Sequence, residues 1–135
     1  MAKTIALIAS LDTKKKETLY AASVIQKQGF STYIIDISTK NLVDGADITP
    51  VEILKRYGIE WEDFDPLGKA ASIDVMSKAA AFVLPQLYAE GKFDVVISIG
   101  GGKNAKMAAM AMKTLPFAVP KIVASSLACG SRTME

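Results

Sequence analysis

Histidine is missing from these 135 residues, and cysteine occurs once, at Cys129. Without histidine there is no imidazole for general acid–base work, no serine triad, and none of the commonest transition-metal ligand. The lone cysteine rules out an internal disulfide framework, fits a reducing cytoplasm, and has no imidazole to activate it as a nucleophile. No apolar run approaches the ~18 residues of a membrane span, and the N-terminus runs directly into a strand pattern with no leader. The chain therefore reads as cytoplasmic, with no membrane partner. One-signed charge is also scarce. Sixteen basic residues against fourteen acidic ones leave +2, too little to make the concentrated basic face of a nucleic-acid binder.

What is present is a chain of one domain's length, half of it apolar, without repeats or linkers. Thr4–Ala9 is apolar on both faces, as a strand covered on two sides must be. After a loop at 10–14, a helix is expected over 15–28, with Leu19, Ala22 and Ile25 on one face and Gly29 closing it. A second strand, Ser31–Asp36, leads into a long connection. Thr49-Pro50-Val51-Glu52 is a capping box with proline at the first helical position, and Gly58 ends that short helix. The segment 59–67, with Trp61 and Phe64, reads as irregular but apolar. A long helix over 69–90 carries Ile73, Met76, Ala80, Val83 and Leu87 on a stripe, and Pro85 predicts a kink or break near Ala81. Strand 95–99, a helix over 105–112 and strand 121–124 complete the alternation. Strands alternating with helices imply an α/β, Rossmann-like three-layer sandwich: a parallel sheet of about four strands with helices on both faces.

The most informative stretch is Val95-Val-Ile-Ser-Ile-Gly100-Gly101-Gly102-Lys103-Asn104. A buried strand ending in three glycines at a helix start lets backbone approach a ligand and aims unpaired N–H groups at it. That suits phosphate, with Lys103 as a nearby positive charge. A tight turn needing positive φ is the plainer alternative, and one or two glycines would suffice for it. The spacing is neither G-x-x-x-x-G-K-[ST] nor G-x-G-x-x-G, so it speaks for the ligand's charge and leaves its identity open. In open parallel sheets ligands sit beyond the carboxyl ends of the strands. Three such ends carry polar or glycine-rich residues here: Ser10 to Lys14, Gly100 to Asn104, and Ser125 to Gly130. A shared pocket is expected, lined by Asp12, Thr13, Lys14, Gly100, Gly101, Gly102, Lys103, Asn104, Ser125 and Ser126. Asp12 either meets a magnesium ion or a ribose hydroxyl, or merely caps the turn. Asp36 either bonds a ribose or faces solvent. No catalytic residue and no dedicated metal site can be named.

Leu11-Asp12-Thr13-Lys14 with Glu17, the element Asp47-Ile48-Thr49, Leu87 to Gly91 and Val119-Pro120-Lys121 together resemble the Tm-one-like ATP-binding domain family. The resemblance covers nearly the whole chain and implies an ATP-type nucleotide as ligand, with magnesium. Members of that family continue well past the equivalent of residue 135, so the resemblance also implies the N-terminal part of a longer architecture. A second, shorter likeness, from Phe93 to Thr133, is to the dinucleotide segment of glycerol dehydrogenases, whose glycine loop holds the NAD pyrophosphate. NAD is accordingly the alternative cofactor. A non-catalytic assembly domain is the competing function. With no helix recognisable after the fourth strand, and with Trp61 and Phe64 in an irregular segment, apolar surface is expected to be covered by a second copy in a homodimer.

Overall fold

The computed structural model describes residues 3–100 and 102–125, with the backbone alone at 102–104 and 123–125. Along them run β1 (Thr4–Ala9), α1 (Leu11–Lys27), β2 (Ser31–Asp36), α2 (Pro50–Tyr57), α3 (Trp61–Phe64), α4 (Lys69–Ala89), β3 (Val95–Gly100), α5 (Gly102–Met112) and β4 (Lys121–Ser125). The four strands form one parallel sheet in the order β2-β1-β3-β4. This is the α/β, Rossmann-like arrangement expected. Among the described residues no helix is long and apolar enough to cross a membrane.

The alternation of each strand divides the apolar side chains between two cores. Ala6, Ile8, Ile35 and Val96 point into the larger one, against Leu54 of α2, Phe64 of α3, Met76 and Leu87 of α4, and Ala111 of α5. Leu7, Ala9 and Ile34 point to the other face, where α1 supplies Leu11 and Ala22. The handedness rule explains the split. The step from β1 to β2 runs one way across the sheet, whereas those from β2 to β3 and from β3 to β4 run the other, so right-handed crossovers put α1 opposite α4 and α5.

The capping box forms as the sequence predicts. Thr49 Oγ1 accepts from Glu52 N–H at 3.2 Å, Glu52 Oε1 accepts from Thr49 N–H at 3.2 Å, and Gly58 closes α2 at φ 102°. Arg56 then ties α2 to Glu90 beyond α4 at 2.9 Å. At the sheet's outer edge β2 is closed off by the connection that follows it. Ile48 N–H donates to the Ile34 carbonyl, Asp36 N–H donates to the Ile48 carbonyl, and Asp47 Oδ2 accepts from Ile34 N–H, which blunts an edge otherwise open to pairing.

Four expectations need correction. Helix α1 begins at Leu11, so 11–14 is its first turn and not a loop. A non-helical Lys14 (φ −126°, ψ 25°) separates that turn from the rest, and this break hides the start from a periodicity reading. Its buried positions are Leu11, Thr18 and Ala22, with Leu19 on the exposed side. Helix α4 is unbroken through Pro85. Proline removes only one donor, the partner of the Ala81 carbonyl, and packing of α4 against α2 and α5 holds the rod together. The 59–67 segment contains the short helix α3. Phe64 is fully buried there and Trp61 packs on the same core, so this segment covers the larger face and exposes little aromatic surface.

Candidate functional site

Position in the sheet determines which loops meet. The chain leaves β1 for β2 on one side, then crosses to β3 on the other, so β1 and β3 flank the switch point where such sheets hold ligands. Strand β4 lies beside β3 in register, with Ile99 opposite Ala124 and Gly100 opposite Ser125. The three strand ends singled out from the sequence are therefore adjacent along one edge, in the order β1, β3, β4.

At the centre of that edge, Gly100 ends β3 at φ 143°, a backbone conformation that side-chain-bearing residues rarely adopt. Two residues on, Gly102 begins α5, three positions earlier than periodicity predicts, which puts Gly102, Lys103 and Asn104 in its first turn. A helix start leaves its first N–H groups without intrahelical partners and carries the positive end of the dipole. Gly101 and Ser126 lie outside the described residues, as does Cys129.

The start of α1 is built differently, and its donors are occupied. Leu11 N–H donates to Asp36 Oδ1 at 3.1 Å and Asp12 N–H to Ser38 Oγ at 3.0 Å. Thr13 and Lys14 N–H both donate to the Ser10 carbonyl, at 3.1 and 2.9 Å. The protein's own carboxylate thus sits where an anion would bind. Asp12 is no N-cap, a place held by Ser10. Its Oδ2 accepts from Lys40 N–H at 3.2 Å and Asn41 N–H at 3.3 Å, strapping the connection after β2 to α1. Lys14 approaches Glu17 at 3.9 Å, a loose exposed pair, and Lys15 pairs with Asp44. That pairing and the hydrogen bond from Lys15 hold the Asp44 carboxyl below the usual range.

Asp36 is the residue for which neither sequence expectation fits. It is fully buried, so it neither faces solvent nor lies open to a ribose. Oδ1 accepts from Leu11 N–H, Ser38 N–H and Ser38 Oγ, while Oδ2 has no hydrogen-bond partner among the described residues. Burial pushes its carboxyl up. The Ser38 and Leu11 hydrogen bonds pull it down, and the neighbouring Asp12 charge adds to the rise. The sequence carries little signal for this, because the burial depends on the start of α1 lying over the end of β2, with Leu11 N–H bonded to the carboxylate. Among the described residues no group of three or more carboxylates, cysteines or histidines is placed to hold a metal ion.

Comparison with known proteins names the family. Residues 3–134 match the model described as "Uncharacterised protein family (UPF0261) N-terminal domain", and the chain belongs to that family. It is similar to a UPF0261 protein of Clostridium tetani, at 30% identity over 133 residues, covering 96% of this chain and 33% of that protein. A UPF0261 protein of Mesorhizobium japonicum is 27% identical over 134 residues, covering 95% and 32%. The chain thus spans about a third of the length of these curated relatives. The assignment to a Tm-one-like ATP-binding family is corrected by this match, which names a different family. The short motifs behind that assignment have local structural roles here: Leu11–Lys14 is a helix turn whose aspartate binds backbone.

Proposed function

Proceeding from membership of this family, we propose that the domain binds a small phosphate-bearing ligand of the nucleotide type in the crevice between β1 and β3. The observation that carries the reading is Gly100 at φ 143° beside the switch point, with α5 starting two residues later. Unlike the start of α1, this one falls within a run of three glycines, where backbone has room to approach a phosphate. Gly100, Gly101 and Gly102 give that close approach, Lys103 neutralises charge, and Asn104, Ser125 and Ser126 offer polar groups alongside. On the β1 side Asp12, Thr13 and Lys14 form the rim, with a ribose hydroxyl or a magnesium ion as the group that Asp12 meets in this reading. ATP is the first candidate and NAD the alternative.

Titration with ATP, ADP, NAD and inorganic phosphate, each with and without magnesium, tests this by thermal shift. A specific ligand at a hundred times its Kd stabilises by about 2.7 kcal/mol. Gly101→Val is expected to remove the shift while the domain still folds, because a β-branched side chain fills the approach between Gly100 and Gly102. Undiminished affinity in the folded variant overturns the phosphate reading, and the pattern of shifts separates ATP from NAD. The second reading, an assembly domain, is favoured by one observation: the side chains of β3 facing α1 are only half-buried.

A further inference from the structure

A parallel sheet is apolar on both faces and needs cover on both. Here one face is packed by α2, α4 and α5, while among the described residues α1 is the helix on the other, lying over β1 and β2 and reaching β3. The consequence is legible in the burial of β3. Val96, Ser98 and Gly100 are buried, whereas Val95, Ile97 and Ile99 are only half-buried. Ile122 of β4, the register partner of Ile97, is 49% exposed. Among the described residues the same corner holds an open edge: β4 has the single strand neighbour β3, while the opposite edge at β2 is closed by Asp47 and Ile48. Val95, Ile97, Ile99 and Ile122 are aliphatic, with no charge among them.

We infer that this corner is the seam on which the remainder of the longer family chain docks, through an amphipathic helix that returns across β3 and β4 beside α1. Two observations select this occupant. The relatives are about three times as long as the matched region, and that region is the N-terminal domain of the family. Crossover handedness supplies the second. A further strand added outside β4 continues the β3-to-β4 direction, so its connecting helix falls on the face that α4 and α5 already cover. The α1 face is covered only by a segment coming back over the sheet, and an aliphatic stripe matches the side chains it meets. This inference rests on packing and is independent of the ligand reading.

The test uses the full-length Clostridium tetani relative with the residue matching Ile122 changed to Glu, followed by calorimetry. Ile122→Glu in the 135-residue chain is the folding control, and Ile122→Ser repeats the pair should Glu unfold the control. Expected is one transition for the unaltered relative, two for its variant, and a Tm change of no more than about 3 °C in the control, as for a half-exposed position. A relative that unfolds in two independent transitions without the change, or a variant that keeps one, overturns the inference. So does a dimer of the 135-residue chain in sedimentation equilibrium that Ile122→Glu dissociates, because a second copy then occupies the face.

Discussion

Asp36 sets a tension at the level of a single residue. Its Oδ1 collects three donors, which favour the carboxylate, while complete burial and an Oδ2 without a partner among the described residues favour the protonated acid. Burial outweighs the hydrogen bonds, and the folded protein holds the proton more tightly than the unfolded chain. The contribution is therefore fully present below the ordinary aspartate range and lost as pH rises through the raised folded value. Asp36→Asn keeps an acceptor for Leu11 and Ser38 and removes the titration. Urea unfolding between about pH 4 and 7 is expected to show a downward slope in stability for the unaltered protein and a flatter one for the variant. Equal slopes would mean that Asp36 titrates as it does in the unfolded chain. Nothing in the sequence announced this. Strand-terminal aspartates are commonly exposed, and the burial of this one depends on α1 starting at Leu11, directly over it.

Elements whose boundaries are chemical were legible in advance, and those whose boundaries are tertiary were not. The Thr49–Glu52 capping box and the glycine at 58 bracket α2 because capping is a local hydrogen-bond exchange. The beginning of α1 was missed because its first-turn donors are satisfied by Asp36 and Ser38, both more than twenty residues away. Asp12 belongs to the same long-range joint. By accepting from Lys40 and Asn41 N–H it fixes the connection after β2 against α1, a role separable from any contact with ligand. Asp12→Ala is expected to cost about 1–2 kcal/mol, as for two partly exposed backbone donors losing a carboxylate. It should also speed amide exchange at Lys40 and Asn41 while leaving α4 protected. Unchanged exchange at those two amides would remove the strap and leave the ligand rim as the only role for Asp12. The candidate site was legible to a similar degree: three strand ends at one edge follow from alternation alone, but the closed state of the α1 corner does not.

Across the whole molecule the two faces of the sheet are unequal, and stability should follow that inequality. The larger core joins four helices, and α3 closes it by inserting Phe64, fully buried and 5.1 Å from the Trp61 ring centroid. A segment that reads as irregular in sequence is thereby a lid on the larger face, which also explains why it offers little aromatic surface for association. Truncating a buried phenylalanine removes its transfer energy and leaves a cavity, typically 3–5 kcal/mol, against a total stability of about 5–15 kcal/mol for a domain. Phe64→Ala is accordingly expected to lower the urea midpoint by a large fraction with little change in m. Trp61, the chain's single tryptophan, reports the transition by fluorescence from within the affected core. A loss below about 1 kcal/mol, the scale of a surface change, would mean that α3 lies loosely on the domain and that the larger face is closed by α2, α4 and α5 without it.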